Sequence, residues 1–435
     1  MQQMRQHAFC PTDILLPEKT VKMRTWSVIA CDQYTSDPEY WEDVEQMIGG
    51  NPSTLSMILP EVYLDEEDVE DRLDRIHESM NNYLQQGIFR EYRDAMIYVE
   101  RIDSRGYLRG GLVGAIDLEY YDFREGTQTE VRATEATVPG RLPPRVHIRE
   151  RALLELPHIM MLIDDDDERV IEPIRARVGD LEKIYDFELM MGGGHLKGYL
   201  LDDQEKERVL KSLDRLADRD RYLRKYGVEQ SDPLIYAMGD GNHSLASAKV
   251  FYEQLKENNP DKDFSCHPAR YALVEIMNLH SPALEFEAIH RIAKRVDREH
   301  LIRDLTDFLD LTEVEEERLA SHEEGEQVFA VVRSGRLQTF RVGKPVSELT
   351  VGSLQTFLDD WTGEHGGKID YIHGEDSVRR LAQKEDIVGF LLPVMGKEEL
   401  FPAVIADGVL PRKTFSMGPA KDKRYYTECR KITEE

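Results

Sequence analysis

The sequence predicts an α+β protein with mixed sheets and flanking helices. Apolar runs of strand length and amphipathic stretches of helix length are interspersed along the chain, with no regular βαβ alternation. No repeat, coiled-coil seam or low-complexity tract organises it otherwise. At 435 residues the chain is too long for one ordinary core. Composition divides it into an N-terminal α+β region (1–125), a central region (126–260) and a C-terminal α+β region (261–435).

Residues 14–23 read as extended and Pro-interrupted, and residues 26–30 as an apolar strand leading into Cys31-Asp32-Gln33-Tyr34-Thr35. Asp37-Pro38 starts a helix through Trp41, Val44 and Ile48, closed by Gly49-Gly50. Asp32 therefore lies at a strand end, where catalytic side chains often sit, although Asp32 or Ser36 could serve only as a cap. Residues 64–87 form an amphipathic helix with Val69, Leu73, Ile76, Met80 and Leu84 as its stripe. A hairpin follows over 94–102 and 107–118, and Gly110, Gly111 and Gly114 in its second strand point to close backbone approach. Residues 130–138 alternate as a strand does.

Arginines concentrate from this point: Arg132, Arg141, Arg145, Arg149 and Arg151, with Glu135 among them. The usual reading is an ion-paired face; the functional one is a cation source for a phosphate, which the guanidinium fork fits. Asp164 to Glu168 is a run of acids that matches no cation-loop template and reads as a solvated turn. Gly192-Gly193-Gly194, carrying His195 and Lys197, is either a flexible connector or a backbone that approaches a ligand. Residues 204–226 read as one long helix. After a polar loop at 258–262 come strands over 271–279 and 283–292, the latter ending in His290-Arg291. The remaining expectations are a helix over 299–309, a hairpin over 327–333 and 337–342, helices over 353–361 and 375–383, and a strand over 387–395.

The most informative stretch is Tyr236-Ala-Met-Gly-Asp-Gly-Asn-His-Ser244. Residues 234–238 form a buried strand. Gly239 and Gly241 bracket Asp240 and relax the backbone. From Ser244 on, Leu245, Ala248, Phe251, Tyr252 and Leu255 share one helix face, with Asn242 or Ser244 as candidate caps. A strand, a glycine turn and a helix start aim unpaired N–H groups and the positive helix end at one spot, and phosphate is the natural guest. Asp240 and His243 flank that spot.

Net charge is −28, and no Lys/Arg block exists to form the basic stripe that nucleic-acid binding needs. No apolar run reaches the length of a membrane helix. The N-terminus shows no signal-peptide pattern, and the four cysteines are scattered; a cytoplasmic protein is expected. The complete Walker, Rossmann and His-Glu-x-x-His signatures are absent.

Over nearly its whole length, from Trp26-Ser-Val-Ile-Ala-Cys-Asp-Gln-Tyr-Thr35 to Leu410-Pro-Arg-Lys-Thr-Phe-Ser-Met-Gly418, the chain resembles the family catalogued as domain of unknown function 1015. Gly-Asp-Gly-Asn-His-Ser resembles that family's Asp-Gly-His-His-Arg box, which is similar to the nucleotide-phosphate box of the ParB/sulfiredoxin superfamily. Arg132 and Glu135 resemble its Arg-x-x-Glu segment, His290-Arg291 its His-Arg pair, and Lys413-Thr414 its Lys-Ser/Thr pair. The chain departs at Ser244, where the box usually has Arg, and at Asn242, where sulfiredoxin carries its reactive Cys, so peroxiredoxin repair is not implied.

The resemblance implies a ParB/sulfiredoxin-like core that binds ATP or ADP with Mg²⁺ and a small metabolite. Gly239, Gly241, Asn242, Ser244, Arg132, Glu135, Arg141 and Lys413 would hold the nucleotide phosphates. Asp240, His243 and Asp32 would be catalytic. His195, His290 and Arg291 would lie toward the substrate. Two classes remain open. One is a serine-kinase-like phosphotransferase with a hydroxyl acceptor. The other is a nucleotide- or metabolite-sensing protein without chemistry. A ParB-like DNA-associated role is opposed by the charge.

Overall fold

A computed structural model describes residues 7–434 except 36, 65, 125, 157, 230, 322 and 324. The protein is mixed α+β, and its contacts group into two units. The first is built from the segments up to Ala133, Thr137–Leu284 and the tail from Gly418 on; the second is Thr134–Ala136 with Glu285–Met417. The sequence-level boundaries at 125 and 260 both fall inside the first unit.

The first unit is organised by a ten-stranded mixed sheet. Its strands include β1 (Ile97–Ile102), β2 (Leu108–Asp117), β3 (Val131–Arg132), β4 (Met160–Ile163), β5 (Glu182–Glu188), β6 (His195–Leu200), β7 (Tyr236–Asp240) and β8 (Tyr271–Asn278). They run in the spatial order β5-β6-β1-β2-β8-β4-β7-β3. β4 is parallel to β8 but antiparallel to β7, and β7 is parallel to β3. The central strands are apolar on both faces. Met161, Leu162 and Ile163, Ala237 and Met238, and Ile276 and Met277 are all fully buried, as a sheet covered by helices requires. Two glycines of β2 admit neighbours that any side chain would displace. A Cβ on Gly111 would lie 2.4 Å from Glu275 Oε1, and one on Gly114 2.6 Å from the Phe9 ring.

Several elements differ from the sequence expectation, each for a local reason. Trp26 ends a short helix, Met23–Trp26, and only Val28–Ile29 is strand, because its partner is the two-residue strand Tyr425–Tyr426. The first long helix is Pro38–Ile48, capped by Asp37, whose side chain accepts from the Tyr40 N–H, with Gly49 left-handed at its end. Asp32 is thus not a cap, and Ser36 lies outside the described residues. The amphipathic helix begins at Val69, not 64, and ends at Gln85. The strand expected over 130–138 shrinks to β3. The single helix expected over 204–226 is two, Asp203–Leu216 and Arg219–Tyr226. Asp218 breaks it by accepting from the Arg221 N–H as a new N-cap.

The second unit is a seven-stranded sheet with helices, among them α1 (Arg298–Leu309) and α2 (Thr350–His365). Its nine-residue strand Phe286–Lys294 pairs antiparallel with Lys368–His373, Ile387–Leu391 and Phe415–Met417. The expected hairpin is present as Val328–Arg333 and Arg336–Val342, joined across Ser334 (φ 48°) and Gly335 (φ 77°), the two positive φ values of a type I′ turn. A helix not foreseen, Lys397–Asp407, carries Pro402 in its interior, which obscured its pattern.

Candidate functional site at the glycine turn

β7 runs into the 17-residue helix Asn242–Asn258, termed α3 below, through Gly241 at φ 86°. Met160 pairs with Asp240 while Met161 pairs with Met238, so Gly239 is the extra residue of a β-bulge. A bulge re-aims the side chain beside it, here Asp240. The helix cap is Gly241, which has no side chain, and no side chain caps the helix. Asn242 and Ser244, the caps expected from sequence, lie inside the first turn. Asp240 Oδ1 instead accepts the Gly241 N–H at 3.0 Å. The positive helix end therefore has no capping side chain of its own, which is what an anion site uses. Within the turn, the His243 carbonyl accepts from Ser247 Oγ at 2.7 Å.

Gly241 also meets the backbone entering β4: an added Cβ would lie 3.0 Å from Ile159 Cα. Gly241→Ala is expected to cost at least about 1–2 kcal/mol, from the left-handed conformation alone. Urea denaturation would check it, and an unchanged midpoint would contradict this account of the turn.

Because β4 is antiparallel to β7, the segment leading into β4 lies at the same sheet end as Asp240. It carries His158, two residues before the strand and 5% exposed. The strand Val28–Ile29 delivers Cys31 and Asp32 to the same place, and its partner Tyr425–Tyr426 delivers Tyr426 and Lys423. His158 Nε2 lies 3.4 Å from Asp32 Oδ2 and 3.4 Å from Ser244 Oγ, and its Nδ1 is 2.8 Å from the Tyr426 hydroxyl. The Tyr426 hydroxyl donates to Cys31 Sγ at 3.0 Å and accepts from the Cys31 N–H at 3.2 Å. With the hydroxyl proton directed at sulfur, its oxygen is an acceptor for His158, so Nδ1 carries a proton. Asp32 Oδ1 accepts from Gln33 Nε2 at 3.0 Å. Lys423, also buried, places Nζ 3.4 Å from Asp240 Oδ2.

The charges of this cluster hold one another. Burial works against a charged His158, but the charge and hydrogen bond of Asp32, with Asp240 and Glu61 beyond, raise its pKa above the ordinary value. Burial likewise works against ionised Asp32, yet His158 first, then Gln33 and Lys423, hold its carboxyl well below the usual range. The two form an imidazolium–carboxylate pair. Cys31 is the opposite case: burial and the Asp32 charge push its thiol up to about 12, so it is no nucleophile at neutral pH.

Beside His158 and Ser244 is a cavity of about 150 Å³, mostly apolar and also lined by Ser247, Tyr426, Arg145 and Arg149. Both arginines come from the helix Leu142–Glu150, which packs on α3. Arg145 is paired with Glu61, and Arg149 with Glu155.

The remaining sequence candidates lie apart from this cluster or in the second unit. Arg132 is buried on β3 and holds the chain together, donating to the Thr129 and Asp232 carbonyls at 2.9 and 2.8 Å. Arg141 is exposed at the start of its helix, where its carbonyl accepts from Arg145. His195 lies between Glu188 Oε1 at 2.9 Å and Asp186 Oδ1 at 2.5 Å. The glycines before it admit the protein's own groups: Gly193 faces the Tyr425 hydroxyl and Gly194 the Ile102 carbonyl. In the acidic run, Asp164 pairs with Lys225 and His280, and Asp166 and Asp167 with Arg221.

In the second unit, Glu135 Oε1 accepts the Lys413 N–H at 3.0 Å. Arg291 is fully buried, bonded to Gln355 and the Arg412 carbonyl. His290 Nδ1 accepts from the Leu392 N–H, and burial pushes its pKa down to about 4. His158, Lys423 and Tyr426 had no motif to mark them. The available signals were a histidine opening the apolar run 158–163 and the Lys-Arg-Tyr-Tyr cluster near the C-terminus.

A family model described as "Protein of unknown function (DUF1015)" matches residues 14–360. The chain belongs to this family. Among curated proteins none matches this DUF1015 chain. Similar solved structures include a mutant free serine kinase in complex with AMP, at 13% identity, covering 73% of this chain and 91% of that one with a TM-score of 0.38. A mutant free serine kinase in complex with ADP gives the same values. SbnI with a C-terminal truncation from Staphylococcus aureus follows at 9% identity, covering 70% and 82%, with a TM-score of 0.36. Among the described residues no helix is long and apolar enough to cross a membrane.

Proposed function

We propose that the protein is a nucleotide-dependent phosphotransferase acting on a hydroxyl of a small metabolite. The observation that carries this reading is the convergence of two charged pairs, Asp32–His158 and Asp240–Lys423, on a helix start that no side chain caps. Phosphoryl transfer asks a protein for positioning and charge stabilisation more than for covalent chemistry. The amides of Asn242, His243 and Ser244 supply a phosphate cradle, and Lys423 supplies the cation that a −28 chain must concentrate there.

Asp32, kept ionised by His158, orients the acceptor hydroxyl and takes its proton as the oxygen–phosphorus bond forms and the bond to the departing nucleotide oxygen breaks. A strongly acidic carboxylate suits a loose transition state, in which the proton leaves late. The cavity of about 150 Å³ is below the ~300 Å³ where drug-sized ligand sites begin, so it matches a small acceptor and not a nucleotide.

Mg²⁺, when bound, would neutralise phosphate charge. The donor set fits it, since Mg²⁺ uses one or two carboxylates together with phosphate oxygens and water, and Asp32 and Asp240 are the carboxylates present. The nucleotide is ATP or ADP, and the compartment the cytoplasm.

The test is a thermal-shift panel of ATP, ADP and AMP with and without Mg²⁺, followed by a product assay across hydroxyl-bearing metabolites. No stabilisation and no product would end the proposal. Stabilisation without turnover by the wild type would favour a nucleotide sensor. Asp240→Asn sharpens the choice. Asn still accepts the Gly241 N–H but loses the charge that Lys423 meets. Turnover is expected to fall about 10²-fold or more, with some loss of stability as well, because Lys423 is buried and loses the charge it faces. Full activity in this variant would remove Asp240 from the machinery.

A further inference from the structure

The second unit holds a cluster that the phosphotransferase reading does not use. His300, Asp304 and His365 each offer one ligand atom, and these atoms all lie within 4.8 Å of one another. The arrangement follows from two helices. His300 and Asp304 are one turn apart on α1 and share a face. His365 is the last residue of α2, one turn after Trp361. We propose that these three side chains form a binding site for a divalent transition ion of the zinc class, with one coordination position left to water.

Trp361 presets the site. Its indole N–H donates to Asp304 Oδ2 at 3.0 Å, and its carbonyl lies 3.1 Å from His365 Nδ1. A carbonyl only accepts, so the His365 proton is on Nδ1 and the lone pair is on Nε2. This is the tautomer that a metal-ligating histidine takes when a backbone carbonyl holds its other nitrogen. The indole also stacks on the His365 ring, with centroids 4.6 Å apart and planes at 18°, and is itself buried, so it fixes that ring's orientation. His300 Nε2 lies 2.9 Å from Asp304 Oδ2, and the His300 and His365 rings are 4.9 Å apart. Arg303 Nε approaches the other Asp304 oxygen only to 3.7 Å.

A simple imidazole–carboxylate pair accounts for His300 and Asp304. It does not account for His365, brought to the same spot in the ligating tautomer by a residue that also holds Asp304. Four-coordinate Zn²⁺ bonds imidazole and carboxylate at about 2.0–2.2 Å, which sets its ligand atoms about 3.3 Å apart. The ligand atoms, all within 4.8 Å of one another, come to that value by small side-chain rotations that leave the His365 ring stacked on Trp361. Two imidazoles exclude Ca²⁺ and Mg²⁺, which take oxygen ligands.

Zn²⁺ titrated into the metal-free full chain, followed by calorimetry, is the direct test, with Co²⁺ as a spectroscopic stand-in. The expected result is one tight equivalent of Zn²⁺ and the visible d–d bands of four-coordinate Co²⁺. His365→Ala and His300→Ala should each weaken that equivalent about 100-fold, and Trp361→Phe, which keeps the ring but removes the N–H, about 10-fold. His365→Ala alters an exposed side chain, so it remains a fair test if His300→Ala fails to fold. Zn²⁺ binding by the wild type no tighter than by a folded His365→Ala chain, or Co²⁺ spectra without four-coordinate bands, would overturn the proposal.

Discussion

Asp32→Asn is expected to lower nucleotide-dependent turnover by about 10²–10⁴-fold, the range that removal of a positioned proton acceptor gives, and to change the titration of His158. Asn keeps the shape and can still accept from Gln33, but the negative charge facing His158 is gone. His158 is 5% exposed, so burial then dominates and its pKa should drop from above about 6.5 to below it.

The sign of the stability effect follows from the two directions. Asp32 has a lowered pKa in the folded protein, so its contribution is present above the unfolded value, about 3.9, and is lost as pH falls through the folded one. His158 has a raised pKa, so its contribution is present below about 6.5 and is lost as pH rises through the folded value. The pair stabilises most between about pH 4 and 6.5. The gap in melting temperature between wild type and Asp32→Asn should therefore be widest there and narrow toward alkaline pH. NMR titration of His158 and melting curves across pH 5–9 read both effects. If His158 still titrates above about 6.5 in the variant, Asp32 is not what holds its proton.

The fold class and the strand–turn–helix at 236–258 were legible because each is a local pattern: an apolar run, two glycines and a helical stripe. The hairpin through Ser334-Gly335 was legible for the same reason. What was not legible is long-range. His158 reaches Ser244, just past the Asp240 turn, only because β4 pairs antiparallel with β7. Tyr426 meets Cys31 only because a two-residue strand near the C-terminus pairs with Val28–Ile29. Neither pairing leaves a periodic trace. The arginine cluster shows the converse. It is dense in sequence, yet Arg132, Arg145 and Arg149 each already have a partner in the chain, and the cation beside Asp240 is Lys423, far away near the C-terminus. The division into units was hidden because the first unit is closed by a tail that returns after the second unit's sheet is complete.

That tail supplies the other large effect: Arg424→Met is expected to destabilise the first unit by about 3–5 kcal/mol. Arg424 is buried between two buried carboxylates, with Nη1 2.8 Å from Glu275 Oε2 and Nη2 2.6 Å from Glu428 Oε2. Burial opposes its charge, but Glu428 and Glu275 hold it firmly protonated. Met fills much of the volume, so the loss is one of charge and not of packing. Among the described residues Glu275 would keep Arg109, at 3.5 Å, and Glu428 the Tyr185 hydroxyl. Both carboxylates would then be buried without the charge that compensates them, which is the source of the deficit. Adding Glu428→Gln to Arg424→Met should recover part of the loss, because the amide carries no charge to bury and its oxygen still accepts from Tyr185. Urea denaturation of the two variants decides the matter. A deficit under about 1 kcal/mol for Arg424→Met, or no recovery in the double variant, would mean that the ion network is not what fastens the tail. The same segment carries Lys423 and Tyr426 into the glycine-turn site, so the deficit should be accompanied by loss of the His158–Tyr426 hydrogen bond, visible as faster exchange of the His158 Nδ1 proton.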